Sequence, residues 1–176
     1  VGTRGLTEYG RQMTRRIVKD LVPYNVTVVS GLAYGADYEA HRACVENGIP
    51  TIAVLGHGLN KVYPYSHTSL ANEMVAAGGA LVSEFTTDTK PDRENFPMRN
   101  RIVAGMCDAT LVIESAVQGG SIITAELAND YHRDVFALQT RMHEDRGDGG
   151  QLVASVAAHD TGLAEESVDG GVGAGE

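Results

Sequence analysis

Short apolar runs rich in β-branched residues alternate along this chain with longer segments of helical character, and that alternation leaves few folds open. The apolar runs lie at residues 26–30, 51–55, 80–85, 109–114 and 134–138. The opening Val1-Gly2-Thr3-Arg4 reads as the end of a further strand whose start lies upstream. Between the runs, Thr7 caps a first helix on which Tyr9, Met13, Ile17 and Leu21 recur at helical spacing, and Pro23 ends it. Further helices are predicted over residues 36–47, 68–77, 99–106 and 121–131, the second closed by Gly48 and the third by Gly78-Gly79. Residues 56–67 and 86–98 are loops. A parallel pair of strands needs a crossover connection, usually a helix, so the pattern predicts an α/β, doubly wound, mostly parallel sheet with helices on both faces.

Ligands of such sheets bind outside the carboxyl ends of the strands. The loops after residues 30, 55, 85 and 114 are therefore expected to share one rim. That rim collects Ser30, Gly31 and Gly35 from SGLAYGADYEAH, and Gly56, Gly58 and Lys61 from GHGLNKVYP. It also collects Arg99 and Arg101 from FPMRNR, and Gly119, Gly120 and Ser121 from QGGSIITAE. Arg4 joins it by the same rule. A strand that turns through glycines into a helix exposes free N–H groups and the positive end of a helix dipole, which suits phosphate. SGLAYGADYEAH reads either as such a phosphate site or as a tight structural turn, because Asp37 repels an anion unless it caps the helix or meets a sugar or base. Arg99 and Arg101 diverge by about 200° on a helix, so one is expected to face a ligand while the other braces a loop carboxylate. Tyr63 beside Lys61 offers either a stacking surface for bases or ordinary packing on the core.

The formal charge of −9 argues against a nucleic-acid partner only if it is spread evenly. It is not. Residues 144–176 hold eight acids and one base, which leaves the first 143 residues close to neutral. A neutral body can still present a local basic stripe to a polyanion. The expected division is a Rossmann-like, polyanion-binding core over residues 1–143 and an acidic, glycine-containing, largely flexible segment over 144–176. That segment would compete with a polyanion for the rim.

Cys44 and Cys107 lack C-x-x-C spacing and read as buried thiols, and the six histidines form no H-x-x-x-H or H-E-x-x-H pair. No metal and no cofactor are expected. Glu84, Glu114 and Glu126 could act as acid or base only if held in a cleft. No apolar run is long enough to span a bilayer and no signal peptide is recognisable, so a cytoplasmic protein without membrane contact is expected.

The segments VGTRGLTEYG, SGLAYGADYEAH, TIAVLGHGLNKVYP, LVSEF, FPMRNRIVAG, TLVIES, GGSIITAELA and RDVFAL occur in an order that resembles the Rossmann-like core of the DNA-processing protein A family, DprA or Smf, over residues 1 to about 138. The resemblance implies a single-stranded DNA-binding protein of natural transformation that protects incoming DNA, loads the RecA recombinase and forms a homodimer. It places Arg4 at the arginine of the family's G-S-R start, with Thr3 in place of serine. It places Ser30, Gly31, Gly35, Lys61, Arg99 and Arg101 in or beside a positively charged DNA pocket. Members usually continue past the last strand with a P-G turn and a G-[TC]-N-x-L-I helix. This chain has Gln139-Thr140-Arg141 instead, which puts dimerisation by the family's mode in question. GGSIITAE after FPMRNR is also similar to segments of the LOG-type nucleoside-monophosphate phosphoribohydrolases, in which Arg99 would grip phosphate and Glu126 would assist glycosidic cleavage. Ser121-Ile122 departs from that motif. A non-catalytic nucleotide sensor is the third reading.

Overall fold

A computed structural model describes residues 1–116 and 119–138. The acidic segment over 144–176 lies outside the described residues. Three strands, β1 (Val28–Ser30), β2 (Thr51–Val54) and β3 (Ala80–Val82), form one parallel ladder in the order β1-β2-β3. A second parallel ladder pairs β4 (Ala109–Val112) with β5 (Asp134–Ala137). Residues 1–3 run beside β4: the Val1 nitrogen donates to the Leu111 carbonyl at 2.9 Å, and Ile113 N–H donates to the Val1 carbonyl at 3.0 Å. This bonding is strand-like, as expected for the first residues, although too short to count as a strand of its own.

Helices α1 (Glu8–Leu21), α2 (Ala36–Asn47), α3 (Thr68–Ala76), α4 (Asn95–Met106) and α5 (Gly120–Asp130) complete the alternation. Successive strand residues point to opposite faces. Leu111, Ile113 and Leu138 pack with Leu6 and Ile17 on the α1 side, while α5 packs against β4 and β5 as well. Helices thus cover both faces of that ladder. The remaining core lies under α1 and α2 (Val18, Ala43, Cys44, Ile49) and under α3 (Leu32, Ala53, Leu55, Leu70, Met74).

Two boundaries differ from expectation and both shape the rim. The third strand stops at Val82 rather than residue 85, because Ser83 Oγ donates to the His57 carbonyl at 2.6 Å and accepts from Phe85 N–H at 3.1 Å, which turns the chain. Helix α4 begins at Asn95, four residues early, and takes in Pro97. Proline is tolerated there because the first-turn N–H groups of a helix have no intrahelical partner. Phe96 is thereby a helical residue with a fixed direction.

Glu114, which follows β4, is a helix-capping group. Its carboxylate accepts from the Thr7 hydroxyl and, at 2.9 Å, from Thr7 N–H, while Thr7 Oγ1 accepts from Gly10 N–H at 3.1 Å. A side chain at Gly10 would place Cβ 2.7 Å from Glu114 Oε1, so the close approach needs glycine. An acid–base role for Glu114 is set aside on this geometry.

Candidate nucleic-acid interface

A cleft of 1040 Å³ opens where the first residues, the loops after β1, β2 and β3, and the starts of α4 and α5 converge. Of the residues expected at the rim, Arg4, Gly31, Lys61, Arg99, Gly119, Gly120 and Ser121 line it. Ser30 lies beneath, 2% exposed. Gly35, Gly56, Gly58 and Arg101 are not in the lining.

The turn after β1 is not an empty phosphate cradle. Asp37 Oδ2 accepts from Gly31 N–H at 3.2 Å and from Ala33 N–H at 3.3 Å, so its carboxylate already takes the amides a phosphate would use. Burial works to raise the Asp37 pKa, while the Arg99 guanidinium and a hydrogen bond from Ser30 work to lower it. The structural-turn reading of SGLAYGADYEAH is the one that fits.

Nor do the glycines of the rim make room for a ligand. A Cβ at Gly35, whose φ is +76°, would fall 2.2 Å from the Thr3 carbonyl oxygen, and one at Gly58 2.0 Å from that of Thr87. At Gly56 it would meet the Phe96 ring at 2.8 Å. These glycines let loops close on one another. Gly120 differs, with open space over its α-carbon at the start of α5.

Arg99 and Arg101 divide as their spacing requires. Arg101 points away and pairs with Glu84, an exposed ion pair rather than a catalytic acid. Arg99 points inward and is 4% exposed. Its guanidinium donates to the carbonyls of Val54 and Gly31, the latter at 2.9 Å, and its Nε to Asn100 Oδ1 at 3.2 Å. Burial lowers its pKa, Asp37 opposes that, and Arg4 adds to it. An arginine so bound ties the β1 and β2 loops to α4 and forms the floor of the cleft.

The accessible cations are others. Arg4, Lys61, Lys90 and Arg93 are exposed lining residues, and among the described residues none of the four makes an ion pair. Among the described residues, only Asp37 and Asp92 bring acid to the lining. Beside the cations stands an aromatic wall. The Arg4 guanidinium carbon lies 5.8 Å from the Phe96 ring centroid, within cation–π range, and Phe96 stacks on Tyr63 at 6.0 Å. Tyr63 in turn meets the buried His57 edge-on at 6.4 Å and stays 49% exposed. Lys90 and Arg93 are rim residues that the sequence pattern did not single out, although the loop after β3 belongs to the rim by the same strand-end rule, and Phe96, within the FPMRNR segment expected there, was not read as a stacking ring. A loop holding two cations and an aromatic residue is the signal that could have found them.

The sequence profile of the family described as DNA recombination-mediator protein A matches residues 1–168. The chain belongs to the DNA recombination-mediator protein A family. Among curated members, it is 48% identical over 138 residues to Protein Smf of Synechocystis, covering 78% of this chain and 34% of that one. It is 38% identical to DNA processing protein DprA of Bacillus subtilis, again over 78% of this chain and 46% of the relative. The chain thus spans less than half the length of these two members. The X-ray structure of DprA from Streptococcus pneumoniae superposes with a TM-score of 0.74 at 36% identity, over 82% of this chain and 50% of that chain. The DprA of Helicobacter pylori, described for its unique single-stranded DNA binding mode, gives a TM-score of 0.73 at 29% identity, over 81% and 64%. The family's architecture is the Rossmann-like one expected, with parallel strands and flanking helices. Among the described residues, no helix is long and apolar enough to cross a membrane.

Proposed function

We propose that this chain binds single-stranded DNA in the cleft. The observation that carries the reading is the set of four cations, Arg4, Lys61, Lys90 and Arg93, without an ion pair among the described residues, around the stacked pair Tyr63 and Phe96. Cations neutralise successive phosphates and release counterions, and unpaired bases stack on exposed ring faces without regard to sequence. A flexible single strand can follow a recessed wall that a stiff duplex cannot enter. The single-stranded DNA binding named for the Helicobacter pylori protein supports the same reading. Binding is non-enzymatic. In this account the module acts in the cytoplasm during DNA uptake, shields the strand and hands it to the RecA recombinase as a homodimer.

The phosphoribohydrolase reading finds less support. Glu126 is exposed on α5 outside the cleft lining, and the Arg99 guanidinium is engaged with protein acceptors. Electrophoretic mobility of single-stranded and duplex oligonucleotides at two salt concentrations tests the proposal. Retention of the single strand, weakening with salt, is expected. Equal retention of both forms, or release of adenine from AMP at steady turnover, would overturn it.

A further inference from the structure

Three tyrosines stand on two loops that meet at the side of the cleft, and the binding reading uses only one of them. Tyr63 lines the cleft; Tyr65, two residues on, is 84% exposed, and Tyr34 is 50% exposed. Tyr34 directly follows the lining residue Ala33, and its hydroxyl shares a 3.3 Å hydrogen bond with Ser66 Oγ, so the loops after β1 and β2 are clasped where these rings emerge.

The Tyr34 ring is held in place from beneath. It meets the His67 ring edge-on at 4.8 Å, and His67, itself buried, packs on Tyr38 at 4.6 Å and shares a 2.9 Å hydrogen bond with the Leu32 carbonyl. A half-exposed aromatic ring fixed by buried neighbours loses little freedom when a base stacks on it.

The charge of these loops suits a polyanion. The chain has 23 acids, yet none falls between Leu21 and Ala36 or between Leu55 and Asn72. Neither loop carries an acid of its own, and the carboxylates bonded to them, Asp37 at Gly31 and Ala33 and Asp88 at Asn60, already accept hydrogen bonds from the loops.

We infer that a strand leaving the cleft past Tyr63 continues over a ledge formed by Tyr65 and Tyr34, a second base-stacking subsite of the same DNA site. The ledge rests on the single-strand reading of the cleft and extends its footprint. It adds stacking surface with no cation of its own, so it strengthens binding without steepening the salt dependence.

The test compares the full chain with the Tyr65→Ala and Tyr34→Leu/Tyr65→Ala variants on oligothymidylates of increasing length, by fluorescence anisotropy. Tyr65 is too exposed for its loss to affect folding, and leucine keeps the apolar contact of Tyr34 with His67. The parent is expected to tighten in two stages as the oligonucleotide lengthens. The double variant is expected to keep the first stage and lose the second, weakening long-strand binding about fivefold or more with an unchanged salt slope. Parent-like affinity of both variants at every length would overturn the ledge while leaving the cleft standing. Failure of the parent chain to bind any length would overturn the cleft, and the ledge with it.

Discussion

The Arg99 guanidinium occupies the space that a side chain at residue 31 would need: a Cβ on Gly31 would lie 2.3 Å from Arg99 Nη1. Nη1 donates to the carbonyls of Gly31 and Val54, so one buried cation joins two strand-end loops to α4. The cleft keeps its shape because of that tie, and the tie exists only because residue 31 is glycine.

Gly31→Ala is therefore expected to lower stability by about 1–3 kcal/mol through overpacking. Arg99→Ala is expected to cost about 3 kcal/mol, since two carbonyls lose their donor and Asp37 loses a buried counter-charge. Urea unfolding measures both. Midpoints equal to the parent's in both variants would contradict the tie.

The capping network at the other end of the site is structural. Thr7→Ala removes the acceptor of Gly10 N–H and a donor to Glu114. It is expected to destabilise the fold by about 1 kcal/mol and to leave DNA affinity unchanged. A loss of affinity in the still-folded variant would mean that α1 takes part in binding.

His41 sets a pH limit on the fold. It is fully buried, with Nδ1 2.7 Å from Thr51 Oγ1, and burial, which Asp37 only partly opposes, pushes its pKa down to about 4. The folded value lies below the unfolded value of about 6.5, so the unfolded chain binds the proton first. Stability is full above the unfolded value and is lost as pH falls toward the folded one, by about 3 kcal/mol in all. Urea midpoints followed down through that window should decline, and His41→Asn should flatten the decline. An identical slope in the variant would assign the loss to other groups.

The legibility of this molecule in its sequence varied by residue. The placement of strands and helices along the chain follows from period and punctuation, and Gly35 and Gly48 were read as turn glycines because both junctions demanded them. Their backbones do lie at φ of +76° and +69°. The 200° divergence of Arg99 and Arg101 was likewise visible in the spacing. What could not be read was which arginine of a rim is free. Arg99 is consumed by carbonyls of loops 45 and 68 residues away, contacts that no local pattern encodes. The same is true of Asp37, whose occupation of the Gly31 and Ala33 amides depends on how the turn closes. Phe96 was obscured by Pro97, which read as a loop residue until the helix was seen to start before it.

The salt dependence of single-strand affinity tests the cleft most directly, measured for the parent chain and for Arg4→Gln, Arg93→Gln and Arg101→Gln. Each phosphate contact removed should reduce the slope of log K against log salt by about 0.7. The account expects that reduction, with weaker binding at low salt, for Arg4→Gln and Arg93→Gln, and an unchanged slope for Arg101→Gln, whose guanidinium is paired with Glu84 outside the cleft. Parent-like slopes for the first two variants, or a loss confined to Arg101→Gln, would contradict it.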